Sequence, residues 1–380
     1  MKRKIVSASL SLIGAVIGAG LFVIPNLLEQ GGWLPFLAGL VVFGGGMILL
    51  HLFLAEVILR TQEKKYFTGY VGQYLGKIAK QTSFLYVFPG LVGTLLIYAL
   101  MAGQFSALIL QPWLVVSPFL GSLVFLLFLS PFIFRGGKTI ITIHTRFSFF
   151  LLLALLAIIG YGLPQLNWEY LNWFHSPFLW SLPGVIFFSL LGWNALPVMT
   201  QILASPEEKK KIGKIIIFGL GGVALLYFLF GLTVVGLGVN ITDWTDIANL
   251  PSSVFYLSKA LALIGLSASI TSFLSLGNYL KNSLVVDYHF PYWLAISGTI
   301  LSPLVFYLLG FQNLLGLMGL VGALMGALQG WVIVFIFLKA RKKGDRSPEY
   351  IVHRPRLALA FMTLTLTMVI ACQLISSFGN

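Results

Sequence analysis

Long apolar runs separated by short polar stretches organise this chain. Eleven runs approach the roughly 20 residues that a membrane-crossing helix needs: 5–28, 33–59, 84–110, 117–134, 147–164, 183–203, 212–237, 251–280, 291–309, 312–338 and 357–376. The first follows Lys2, Arg3 and Lys4, as a secretory leader would, but it continues without a small-residue cleavage site and reads as a retained helix. The expected fold class is an all-α polytopic membrane protein with eleven transmembrane helices.

Two of these runs are interrupted. Gly18-Ala19-Gly20 lies in the first, and Pro25 follows Gly20 by five residues; in the sixth, Gly192 is followed at the same distance by Pro197. A helix in lipid has no water to replace lost backbone hydrogen bonds, so paired Gly/Pro interruptions point to built breaks. The offset between the two sites, Gly20 to Gly192, carries the third, fourth and fifth runs onto the eighth, ninth and tenth. Five spans is an odd number, so the second copy is expected to be inverted. The expected organisation is a first five-helix repeat over 1–165, an inverted repeat over 183–338 and an additional C-terminal helix over 355–380.

Composition agrees with that setting. The chain is 58% hydrophobic and 9% charged, with a mean hydropathy of +0.95, more apolar surface than a soluble core of this length requires. If the N-terminus is cytoplasmic, 23 of the 24 Lys and Arg fall on the cytoplasmic side, and only Lys259 does not. This places the C-terminus outside, in a multi-pass protein of the cell membrane, expected to be a cell inner membrane. It also assigns the net charge of +13 to loops facing anionic lipid rather than to nucleic acid. Trp33, Trp113, Trp168, Trp173, Trp180 and Trp244 form an expected outer interface belt, whereas Trp193 lies at the break of the sixth run. The single cysteine, Cys372, excludes an internal disulfide. No oligomer signature is legible, and a monomer suffices.

The breaks carry the chemistry. Where the chain unwinds around Gly14, Gly18, Ala19 and Gly20, backbone N–H groups open the next half-helix at the positive end of its dipole. They suit a carboxylate. Carbonyls freed near Ile13 to Ile17 suit an ammonium, and the same geometry recurs from Ser189 to Ala195. A zwitterionic amino acid satisfies both poles without a charged side chain. The competing reading is that such glycines only allow tight helix packing. Tyr98, Phe187, Phe188 and Trp193 are candidate lids, and with no acid or base at either break the side chain bound should be neutral.

No cofactor motif, phosphate loop or zinc pattern is present, so an ion gradient, Na⁺ or H⁺, is the expected source of drive. Ser267, Thr271 and Ser275 share a face of the eighth run. Thr271 and Ser272, with carbonyls near Ala15 to Gly18, could hold Na⁺, or could simply bond carbonyls of their own helix. Glu56 could relay a proton or pair with Arg60 at i+4, and His51 could titrate or rest on a carbonyl. Lys259 is expected to snorkel outward. Gly319, Gly322, Gly326 and Gly330 read as a packing face, and the Asn240-Ile241-Thr242 sequon as a chance match.

Residues 11–25, SLIGAVIGAGLFVIP, resemble the first helix of the aromatic (tryptophan/tyrosine) amino acid permease family. SLLGWNALP (189–197), PEEKKKIGKIIIFGLGGVALLYFLFGLTVVGLG (206–238), TSFLSLGNYL (271–280) and LLIYALMAG (95–103) are similar to its other motifs. The likeness implies eleven helices in the five-plus-five leucine-transporter-type fold, and transport of an amino acid across the bilayer. This chain departs from the family at the sixth-run break, where the family's histidine is Trp193 and its asparagine is Ala195, with Asn194 alongside. A tyrosine expected in the third run is Gln104. These departures bear on proton coupling and aromatic selectivity, and leave a Na⁺-coupled carrier of another small amino acid or amine as the alternative. Two less favoured classes stay open: a channel, which would need a continuous polar pore although only the eighth run is rich in polar residues, and an intramembrane enzyme, which would need converging catalytic groups although Glu56, His51 and Lys259 lie at different depths.

Overall fold

The computed structural model describes residues 2–111, 113–135, 137–175, 182–238 and 255–378, a few of them by backbone alone. Each of the eleven apolar runs carries helix. The first becomes α1 (Lys2–Val16) and α2 (Gly20–Gly31), bent by 57° at the break between them. Then come α3 (Trp33–Arg60), the short α4 (Phe67–Leu75), α5 (Lys77–Leu110), α6 (Pro118–Leu129) and α7 (Gly137–Gly162). The sixth run is again split, into α8 (Leu182–Ser189) and α9 (Leu196–Ile202), and is followed by α10 (Pro206–Lys209) and α11 (Ile212–Gly236). The remainder is α12 (Phe255–Tyr288), α13 (Tyr292–Leu308), α14 (Leu314–Val321), α15 (Gln329–Lys343) and α16 (Pro355–Phe378).

Eight helical stretches among the described residues are long and apolar enough to cross a membrane, and the bent α1–α2 pair brings this to nine. Two further apolar helices, Pro118–Phe134 and Tyr292–Leu308, are shorter. Trp180, Trp244, the sequon and most of the loop 238–250 lie outside the described residues. Trp113, Trp168 and Trp173 are exposed.

The two breaks form for the reason their residues suggest. A Cβ on Gly192 would lie 2.3 Å from Val16 Cγ2, so only glycine lets the two breaks approach this closely, and Pro197 at the start of α9 needs no N–H partner there. Of the glycines expected to form a packing face on the tenth run, Gly322, Gly326 and Gly330 pack closely, whereas a Cβ on Gly319 would meet nothing within 4 Å. A Cβ on Gly322 would lie 2.8 Å from the Gly184 carbonyl, and one on Gly330 2.5 Å from Leu366. Between α14 and α15 that run widens into a π-helical turn, Gly322–Leu328, which the sequence pattern did not suggest.

Two lysines bond backbone carbonyls of neighbouring helical segments. Lys281 is buried and donates to the Ile133 carbonyl at 2.9 Å. Lys259, half-buried, donates to the carbonyl of Leu108 near the C-terminal end of α5.

Candidate functional site

A cavity lies between the two breaks. It is lined by Ala15, Val16, Ala19 and Gly20 from the first break, and by Phe188, Ser189, Gly192, Trp193 and Asn194 from the second. α5 adds Leu91, Thr94 and Tyr98, and α12 adds Ser272 and Ser275. Its volume is about 40 Å³. That is room for about one water molecule, so the site is contracted compared with what an amino acid would occupy.

The backbone groups are placed as the half-helix argument requires. Leu21 and Phe22 bond back to Gly18 and Ala19 in a tight first turn of α2, while the N–H groups of Ala19 and Gly20 make no backbone hydrogen bond. These donors open α2 at its positive end. Val16 ends α1 and Ser189 ends α8, so both carbonyls lie at negative helix ends. The phenol of Tyr227 on α11 donates to both, at 2.8 Å to Val16 and 3.2 Å to Ser189. The Ser189 hydroxyl is buried without a partner.

Of the residues singled out in the sequence, Ala15, Ala19, Gly20, Tyr98, Phe188, Ser189, Trp193, Asn194 and Ser272 line the cavity. Gly18 stands directly behind it, where a Cβ would meet Tyr98 Oη at 2.9 Å and Ser272 Oγ at 3.3 Å.

Four others are not part of the lining. Gly14 packs against α7, where a Cβ would fall 1.7 Å from Ser148 Oγ and 2.9 Å from His144, so its role is close helix approach. Phe187 is in the core, against Phe43 at a ring distance of 6.3 Å and over Gly326. Gln104 does not reach the cavity. Thr271 spends its hydroxyl on the carbonyls of Ser267 and Ala268, both at 3.1 Å, leaving Ser272 as the hydroxyl that faces the first break.

Glu56 is also elsewhere. Its fully buried carboxylate accepts from Arg60 at 2.9 Å, from Arg341 Nε at 2.8 Å and Nη2 at 2.9 Å, and from the Val352 N–H at 2.6 Å. That saturated set ties α3 to α15 and the segment before α16. It leaves no free carboxylate to relay protons, so the proton-relay reading of Glu56 gives way to the structural pair. His51 is nearer the chemistry. Its Nδ1 bonds the Met47 carbonyl at 2.8 Å, its Nε2 has no partner, and its ring lies 5.8 Å from that of Trp193.

Sequence reasoning missed Tyr227, Leu91, Thr94 and Met325 at this site. Nothing in their local pattern distinguishes them from packing residues of an apolar run.

A sequence model of the tryptophan/tyrosine permease family matches residues 1–373. No curated protein sequence matches the chain. Among solved structures the chain is similar to MHP1, a nucleobase-cation-symport-1 family transporter in a closed conformation with bromovinylhydantoin bound, with a TM-score of 0.62 and 16% identity over 98% of this chain and 90% of that one. At that identity the likeness establishes the fold alone.

Proposed function

This chain belongs to the tryptophan/tyrosine permease family, a family of multi-pass membrane permeases rather than enzymes, and on that premise we propose that it is a symporter of a neutral amino acid, aromatic ones included. The observation that carries the reading is the cavity shared by the two breaks, lined by residues with free N–H groups and by residues with helix-terminal carbonyls. The substrate carboxylate meets Ala19 and Gly20 at the start of α2. Its ammonium meets the carbonyls of Val16 and Ser189. Its side chain lies among Tyr98, Phe188, Trp193 and Met325, all uncharged. Trp193 and Phe188 fill the space in this closed arrangement, so loading requires them to move, and they serve as the gate.

Nine long spans with the bent pair counted once, together with the two shorter apolar helices, support eleven crossings. The near-constant offset between the two breaks supports a five-plus-five inverted repeat followed by α16. The distribution of Lys and Arg supports a cytoplasmic N-terminus and an external C-terminus.

Two observations bear on the coupling ion. The unpartnered Nε2 of His51, beside the second break, favours a proton. The Ser272 hydroxyl facing Gly18 favours Na⁺, which Ser272 and first-break carbonyls would hold by their oxygens. Thr271, already bonded within α12, fits that oxygen set less well.

A thermal-shift screen of purified protein against the twenty amino acids, with and without Na⁺, tests the reading directly. Stabilisation by neutral, bulky amino acids is expected. A flat response to all twenty overturns it.

A further inference from the structure

Tyr227 joins the two breaks through a single proton. It is completely buried on α11, and its hydroxyl reaches the last carbonyl of α1, Val16, and the last carbonyl of α8, Ser189. Neither carbonyl receives the usual bond from four residues further on, because the helix has stopped and no Gly20 or Trp193 N–H turns back to it. A phenol has one proton to give, and each carbonyl has two lone pairs to fill. Two carbonyls at negative helix ends thus share one donor and keep unfilled lone pairs. Val16 and Ser189 both line the cavity. The Ser189 hydroxyl beside them is buried and also unfilled.

The geometry points to Tyr227 as a positioning residue: from the side away from the ligand, it holds the Val16 and Ser189 carbonyls at one fixed separation, so that together they form the ammonium pocket. This rests on the amino-acid reading above and deepens it. A hydrogen-bond donor on the far side satisfies part of each carbonyl while fixing its direction, and the remaining lone pairs require a multivalent donor. An ammonium, with three N–H groups, meets that requirement; a hydroxyl or a single amide N–H does not. Without the phenol, packing alone would join the ends of α1 and α8, and no hydrogen bond would fix the direction of the two acceptors. The ordering would then have to be supplied by the ligand on binding, at a cost in affinity. The effect is confined to the ammonium end, because the donors for the carboxylate belong to α2, on which Tyr227 makes no hydrogen bond.

The test uses the purified full-length protein and three probes: L-tryptophan, tryptamine, which lacks the carboxylate, and indole-3-propionate, which lacks the ammonium. Tyr227→Phe removes one oxygen. A Tyr227→Phe sample that elutes as the wild type does is expected to bind L-tryptophan and tryptamine about tenfold more weakly, with its affinity for indole-3-propionate unchanged. Equal weakening for all three probes marks a general structural loss and overturns the assignment, as does wild-type affinity for L-tryptophan. If Tyr227→Phe does not purify, Tyr227→His keeps a ring N–H donor. A smaller loss with the same selectivity is expected there, and an unselective loss again overturns the assignment. Wild-type protein that binds none of the three probes, nor any of the twenty amino acids, would instead count against the amino-acid reading itself, and this inference would fall with it.

Discussion

Gly20 and Ser189 touch across the two breaks so closely that a Cβ on Gly20 would lie 2.5 Å from the Ser189 Cα and 2.6 Å from its Oγ. The contact is to backbone as well as side chain, so no rotamer change can make room. The start of α2 and the end of α8 are therefore held at the separation that glycine permits. Any side chain at position 20 forces the two halves of the site apart.

Gly20→Ala and Gly20→Val are accordingly expected to abolish amino acid binding, with a loss of at least about a hundredfold for Val, while helical circular dichroism is retained. The valine adds β-branching to the clash. Isothermal titration on monodisperse protein checks this, and wild-type affinity in either variant would rule out the placement of the substrate at these breaks.

Trp193 and Phe188 line the cavity, whereas Phe187 lies behind it against Phe43. Trp193→Ala and Phe188→Ala should therefore weaken bulky neutral amino acids by about tenfold or more while affecting small ones less. Phe187→Ala should lower thermal stability and leave the selectivity ranking intact. Competition assays across the amino acids measure the ranking. Preferred binding of arginine or glutamate by the wild type would contradict a pocket with no charged lining.

The Glu56 cluster makes an opposite kind of prediction. The carboxylate is fully buried and satisfied by Arg60, Arg341 and the Val352 N–H. Removing one partner of a buried ion pair leaves its mate uncompensated, at about 3 kcal/mol. Glu56→Gln should therefore lower the melting temperature markedly and reduce the yield. The molecules that do fold should still transport with an unchanged pH profile. A lost pH dependence in well-folded Glu56→Gln would return the proton relay to this residue.

The breaks were legible because glycine and proline have few reasons to recur at matched depth in lipid, and Gly20 and Gly192 have that reason. The Arg60 partner of Glu56 was legible from i+4 spacing. Arg341, 285 residues away, was not, since no local rule links the two. Gly14 looked like Gly18 in the sequence. Only the position of Ser148 on α7 shows that one glycine serves packing while the other stands beside the cavity. Thr271 and Ser272 are adjacent and chemically alike, yet a rotation of one helical position sends one hydroxyl to its own backbone and the other toward the first break. Tyr227 left no trace at all in the pattern, because an aromatic in an apolar run has the same signature whether it faces lipid or holds two helix ends.

The coupling ion is decided by a comparison of variants rather than by any one of them. Uptake into proteoliposomes under separate Na⁺ and pH gradients is the measurement. With proton coupling, a pH gradient alone drives accumulation, His51→Gln abolishes the drive while leaving equilibrium binding nearly intact, and Ser272→Ala has little effect. With sodium coupling, the pattern reverses: Ser272→Ala removes the response to Na⁺, and His51→Gln changes only stability. Thr271→Val should be mild in either case, because that hydroxyl is already bonded to Ser267 and Ala268 within α12; a severe Thr271→Val defect specific to Na⁺-driven uptake would show that the hydroxyl turns toward the ion when one is bound. Glu56→Gln serves as the internal control, since it perturbs a buried charge away from the cavity. If neither gradient drives accumulation in the wild type, the protein equilibrates its substrate passively, and neither His51 nor Ser272 has a coupling role.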